Sequence, residues 1–209
     1  MKRTFRVVLA FVVLAIAHPR TLHSQTVTAK PARIGIMGGA TFPLGSDFSD
    51  ITKRGWNAGA LIALGAPAFP LSFRLDGQWH QLAGKTASFP DKGSQRTDLR
   101  IIDGTADFEY TFGKPSSSNF YVIGGVGLYN LRGRNSTTPG NIAGGTDSTF
   151  TLSANKFGWN AGFGVRAQLT GYTLFIESRY HAVSNGHIVD ASGSSKAIYF
   201  IPIDIGITL

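Results

Sequence analysis

The sequence predicts an all-β fold, an eight-stranded antiparallel up-and-down transmembrane β-barrel, on three observations. Behind an N-terminal leader lie eight β-patterned runs, most of which alternate with period two, as in strands whose two faces meet different surroundings. The links between the runs also alternate. The longer ones are about Pro43 to Gly55, Gly84 to Thr97, Gly133 to Asn155 and Ala182 to Ser195; the shorter ones are about Ala66 to Phe69, Gly113 to Ser118, and Thr170 with Gly171. All the long links then share one end, the asymmetry of a membrane barrel with tight turns on one side and loops on the other. Finally, aromatic residues collect at two levels. Trp56, Trp79, Tyr129, Phe157, Trp159, Tyr180 and Tyr199 lie near the long-link rim, and Tyr110, Phe112, Phe120, Tyr121 and Tyr172 near the other, as amphipathic rings do at lipid headgroups.

Taken in order, the first element is the leader. Lys2, Arg3 and Arg6 precede an apolar run from Val7 to Ala17 that is far too short to span a bilayer as a helix, so it reads as a secretory signal peptide. Ala15 and Ala17 fit the small-residue cleavage rule but leave Pro19 just beyond. A cut after Gln25 gives a cleaner start, and the chain divides into a signal peptide over 1–25 and a barrel domain over 26–209.

The first strand, Arg33 to Phe42, is glycine-rich and leaves its orientation open; the second occupies the interval between Gly55 and Ala66. In the third, Leu71, Phe73, Leu75 and Trp79 share one face while Ser72, Arg74, Asp76, Gln78 and His80 share the other. The fourth sets Ala106, Phe108, Tyr110 and Phe112 against Asp103, Thr105, Asp107 and Glu109. The fifth, Phe120 to Leu131, is apolar on both faces, so its orientation also stays open. In the sixth, Phe157, Trp159, Ala161, Phe163, Val165, Ala167 and Leu169 oppose Asn160, Arg166 and Gln168. The seventh sets Tyr172, Leu174, Ile176 and Tyr180 against Thr173, Glu177, Arg179 and His181, and the eighth sets Tyr199, Ile201, Ile203, Ile205, Ile207 and Leu209 against Asp204 and Thr208. No stretch beyond the leader sustains a helical period.

Alternation alone does not say which face is wet, because a soluble eight-stranded barrel such as a lipocalin places its apolar residues inside. The two aromatic levels favour the membrane version. Strand length agrees, since ten residues at about 3.3 Å each, tilted by about 45°, rise roughly 23 Å. A last strand that stops on an apolar residue has an edge to cover, and in a closed barrel it pairs with the first strand.

Three segments carry a resemblance to a known group: Phe120-Tyr121-Val122-Ile123-Gly124-Gly125-Val126-Gly127-Leu128-Tyr129, Gly158-Trp159-Asn160-Ala161-Gly162-Phe163-Gly164-Val165 and Phe175-Ile176-Glu177-Ser178-Arg179-Tyr180-His181. They resemble the bacterial outer-membrane β-barrel domain family that includes the OmpA-like and OmpX-like small barrels. Gly206-Ile207-Thr208-Leu209 resembles the C-terminal signal read by the outer-membrane assembly machinery, with Leu209 in place of the usual terminal aromatic. The resemblance implies an outer-membrane location after export, contact with outer-membrane lipids including lipopolysaccharide, and a monomer. It says little about activity, since function lives in sites rather than folds.

Composition excludes several classes. Lys and Arg number 20 against 12 acids, a formal charge of +8, but the leader removes Lys2, Arg3, Arg6 and Arg20 and leaves 16 against 12, or +4. The remaining basic residues are not clustered on one element, which argues against nucleic acid. With no cysteine there are no disulfides or thiolate metal sites, and His18, His23, His80, His181 and His187 show no ligand spacing. Gly124-Gly125-Val126-Gly127 lies inside a strand, so it is read as strand curvature and close packing rather than a phosphate loop. Asn135-Ser136-Thr137 matches a glycosylation pattern and is read as loop polarity.

If the apolar faces look outward, Asp76, Asp103, Asp107, Glu109, Glu177 and Asp204 face Arg74, Arg166 and Arg179 inside, with His80 and His181 nearby. The expectation is a paired ionic plug in a lumen just wide enough for side chains; a narrow ion path is the competing reading. His181, Ser184 and Asn185 resemble the histidine and serine of outer-membrane lipid A deacylases, but a three-residue spacing points the pair to opposite strand faces and the family's downstream glutamate is missing. The chain is therefore read as not an enzyme, without catalytic, cofactor or metal residues. The link from Gly133 to Asn155, rich in Gly, Ser, Thr and Asn, is expected to be mobile and to be the contact surface for any extracellular ligand. A structural barrel is the primary reading, and a loop-mediated adhesin the alternative.

Overall fold

A computed structural model describes residues 32–65, 70–89, 93–113, 118–138, 148–186 and 196–209. The expected signal peptide lies outside the described residues, as do the Ala66 to Phe69 link and the centres of most other links. The elements run β1 (Ala32–Leu44), α1 (Ser46–Ile51), β2 (Thr52–Gly65), β3 (Leu71–Gly84), β4 (Thr86–Phe89), β5 (Gly93–Phe112), β6 (Asn119–Thr138), β7 (Ser148–Leu169), β8 (Tyr172–Gly186) and β9 (Lys196–Thr208). Each strand pairs antiparallel with its neighbour, and β3 and β4 both pair with β5, so the nine described strands occupy eight barrel positions. Closure is made by β1 and β9, from Gly35 opposite Thr208 to Leu44 opposite Tyr199, with the Leu209 N–H donating to the Ile34 carbonyl at 2.9 Å. No sheet edge is left along the wall where the chain ends.

Which face is dry follows from burial. Ile36, Leu128 and Phe163 are more than half exposed, while Arg74 and Arg179 are each 1 % exposed. A water-soluble barrel has the reverse arrangement; an apolar exterior that runs around the whole barrel is tolerable only against lipid. On β5 the outward series from Phe112 to Ile102 spans ten residue steps, a rise of roughly 23 Å at the usual tilt, so one apolar band suffices for a membrane. The turn at Thr170 and Gly171 is as short as expected, and Gly171 takes φ 91°, a left-handed conformation that only glycine adopts without strain.

Several expectations need correction. Where they are described, two of the long links are largely strand: in Gly84 to Thr97, β4 is followed by β5 from Gly93, and in Gly133 to Asn155, β6 runs to Thr138 and β7 begins at Ser148, so most of the polar segment expected to be mobile is a β-ladder, with Gly133 opposite Leu152 and Thr137 opposite Ser148. In 149–153 the hydroxyl residues Thr149, Thr151 and Ser153 alternate with Phe150 and Leu152, a pattern that suits a two-stranded ladder. The link from Pro43 contains the single turn of helix α1, where no helical period was expected; it is closed by Ser49 N–H to Gly45 O at 2.9 Å and by the Thr52 hydroxyl to Phe48 O at 2.7 Å. Tyr121 and Tyr129 do not join the lipid girdles, since both are fully buried in the lumen. Their strand parity decides this: Tyr121, Ile123, Tyr129 and Leu131 point in, and Phe120, Val122, Val126 and Leu128 point out. The same parity resolves β1, with Gly35, Met37 and Thr41 inside and Ile34 and Ile36 outside.

Candidate functional site

The lumen-facing charges converge as the alternation predicts. Arg74, from β3, donates through Nε to Asp76 at 2.8 Å and through Nη1 to Glu177 of β8 at 2.7 Å. Arg179, two residues along the same face of β8, pairs with Asp76 at 2.7 Å, Glu177 at 2.8 Å and Asp107 of β5 at 3.2 Å. Nearer the short-turn end, Glu109 is held between Arg166 at 2.7 Å and Arg33 at 2.9 Å. Strand geometry explains the meeting: alternate residues share a face, and a narrow eight-stranded cylinder brings opposite walls within reach of an arginine. Uncharged groups complete the network. The Tyr121 hydroxyl donates to Glu177 at 2.7 Å, and Thr105 and Asn160 donate to Asp107 at 2.6 and 2.7 Å.

Toward the long-link end the character changes. His80 Nε2 donates to the Asp103 carboxylate at 2.8 Å, and its Nδ1 lies 2.8 Å from the Thr41 hydroxyl. The Tyr129 hydroxyl lies 2.9 Å from His181 Nδ1, and the His181 ring stacks on Phe200 at 4.7 Å. Above these rings sits a cluster of Leu82, Leu99, Ile101, Leu131, Val183 and Ile198, roofed by Phe48 from α1. This apolar layer was not expected, because Leu99 and Ile101 share the face of Asp103 and no period distinguishes an apolar stretch of the inner face from an outer one. Glycines of β7 make room for the rings inside: a Cβ on Gly158 would meet the Tyr129 ring at 2.7 Å, and one on Gly164 would collide with the Tyr121 ring.

His181 and Ser184 do not come together as a catalytic pair. His181 is fully buried against Phe200 and Tyr129 while Ser184 is exposed, so the base cannot reach the hydroxyl. No group of three or more His, Cys, Asp or Glu among the described residues has metal-binding geometry.

A second feature lies on the outside, at the long-link rim. Strand pairing places Arg100 of β5 opposite Arg132 of β6 and Asp98 opposite Arg134, although these residues look scattered along the chain. Arg96 donates to Asp98 at 2.9 Å, and the Gly84 N–H donates to the same oxygen at 2.8 Å. Partial burial pushes the Asp98 carboxyl up, but the Gly84 N–H and the Arg96 guanidinium outweigh it and hold it below the ordinary aspartate value.

The chain matches no protein-family model. Over 93 residues it is 29 % identical to the outer membrane protein PagN of Salmonella typhimurium, a match covering 44 % of this chain and 38 % of that protein's length. Among solved structures it is similar to Neisserial surface protein A, with TM-score 0.52 and 16 % identity over 86 % of this chain and 97 % of that one. It is also similar to a major outer membrane protein of Thermus thermophilus, with TM-score 0.51 and 15 % identity over 86 % and 98 % of the two chains. Closed antiparallel pairing, an apolar exterior and these likenesses agree: the chain has the fold of the small eight-stranded outer-membrane β-barrels.

Proposed function

We propose that the protein is a structural, non-enzymatic component of the bacterial outer membrane, exported behind a cleaved signal peptide, and that a side-chain plug closes its lumen. The observation that carries this reading is the cross-lumen network joining Arg74 and Arg179 to Asp76, Asp107 and Glu177, beneath the apolar layer of Leu82, Leu99, Ile101 and Val183. Charges in so narrow an interior are tolerable when paired, and a hydrated ion would have to break those pairs and cross an apolar constriction. The barrel's partners in this reading are outer-membrane lipids and, during biogenesis, the assembly machinery, with the monomer as the working unit. Planar-bilayer recording tests the plug. No stable conductance steps are expected, and reproducible unitary currents from the refolded protein would replace the plug with a narrow ion path.

A second reading, loop-mediated surface binding, is favoured by the sheet that β4 to β7 project beyond the membrane band, where Phe150 and Leu152 are about half exposed on a strand that β8 does not cover. Removing residues 135–153 and assaying adhesion of cells carrying the variant separates the two readings. A barrel that inserts normally but no longer adheres supports binding, and unchanged adhesion leaves the structural role.

A further inference from the structure

We infer that the outward face of β3, β5 and β6, just above the aromatic level, binds the phosphate groups of a phosphorylated glycolipid in the outer leaflet. The inference rests on the membrane-embedded reading above and adds a specific lipid site to it. On β5 the outward series that is apolar up to Ile102 continues as Arg100, Asp98 and Arg96; on β6 the series ending at Leu128 continues through Asn130 to Arg132 and Arg134. These groups therefore begin where the apolar band stops, at the depth of lipid headgroups.

Three observations point to an anionic ligand. Arg100 and Arg132 are direct cross-strand partners, an arrangement of like charges that is unfavourable unless something negative sits between them. The one described acid in the row, Asp98, is already engaged by Gly84 and Arg96, so it does not neutralise that pair. Finally, the Arg100 guanidinium lies 4.7 Å from the centre of the Trp79 ring, with Nε buried and without an acceptor among the described residues. An indole at the interface presenting a guanidinium upward is a preformed contact for an oxyanion, and the planar fork of arginine matches phosphate in a bidentate way. Exposed Lys85 and Arg134 extend the row on either side. A lipid is favoured over a soluble anion because the same face is continuous with the lipid-facing residues Trp79, Leu128 and Phe157.

The test uses the full mature protein refolded in detergent and titrated with bisphosphorylated lipid A, with chemically dephosphorylated lipid A, and with inorganic phosphate. A surface charge beside an anionic headgroup is worth about fivefold in affinity, so an R100Q/R132Q variant should bind the bisphosphorylated lipid about 25-fold more weakly. An R54Q control, outside the row, should bind as the parent does. Equal binding of the dephosphorylated lipid, or an unchanged affinity in the double variant, overturns the site. Displacement by equimolar inorganic phosphate overturns the lipid as its source, and so does binding, dependent on Arg100 and Arg132, of a sulfated oligosaccharide by a protein that ignores lipid A. Heat-modifiable gel mobility, recorded on each variant, reports the barrel independently: failure there strikes the membrane reading, whereas a folded barrel that does not bind strikes only this site.

Discussion

Arg74 shows what single residues contribute inside this barrel. Its guanidinium serves Asp76 and Glu177 directly and lies 3.6 Å from Glu109, all of them buried. Arg74→Ala should therefore cost about 3–5 kcal/mol of stability, mostly by stranding carboxylates away from water rather than by losing attraction. Denaturant unfolding of the detergent-refolded variant measures this, and a loss below about 1 kcal/mol, the range of an exposed pair, would show the lumen to be hydrated. That Arg74 and Asp76 meet was legible in their spacing, since residues two apart share a strand face. The place of Tyr121 was not: a tyrosine suits both a headgroup level and a buried acceptor, and Phe120 to Leu131 offered apolar groups at every position. What settles it is Glu177, more than fifty residues away, which takes the hydroxyl.

At the scale of elements, period two and the rhythm of the links located the eight barrel positions, because lipid on one side and charge on the other make a sharp contrast within the membrane for every strand but the glycine-rich first and the apolar fifth. Beyond the membrane the contrast vanishes, and with it the legibility of β4, of the ends of β5 to β7, and of α1. Water lies on both faces of the projecting ladder, so polar residues in strand and in loop look alike. One contact there is open to titration. Asp98 ties β5 to β3 through the Gly84 N–H. Its carboxyl is held below the ordinary value in the folded state, so the link is present at neutral pH and is lost as pH falls through that depressed value. The Gly84 amide resonance should follow this protonation with a midpoint below that of a free aspartate. A midpoint above that of a free aspartate, or no movement at all, would mean that the link is absent in solution.

For the whole molecule, the closed hydrogen-bond circuit predicts resistance to detergent at room temperature. The unboiled protein should migrate as a compact species in gels, shift to slower mobility on boiling, and fractionate with outer membranes. A water-soluble monomer obtained without detergent would contradict the outward apolar face. The two-level lumen was half legible in sequence: the charged level announces itself, whereas the apolar level above it is assembled from β3, β5, β6, β8, β9 and α1, each giving only one or two residues. The basic row outside was hidden for the same reason, because register rather than sequence order brings Arg100 beside Arg132.

The cross-lumen ion pairs have a consequence for assembly. Asp76, Asp107 and Glu109 precede Arg166 and Arg179 by at least 57 residues, and Arg74 waits for Glu177 across 103. An N-terminal half of the chain sets only Arg33 and Arg74 against Asp76, Asp107 and Glu109, so its inner face keeps an excess of acid until Arg166 and Arg179 join it, and such a half-formed wall cannot shed its water toward an apolar phase. Insertion of this barrel is therefore a late and concerted event. The nascent protein must stay solvated, and any escort that holds it must tolerate a strongly polar inner face, until β7 and β8 arrive with Arg166 and Arg179 to neutralise what the early strands carry.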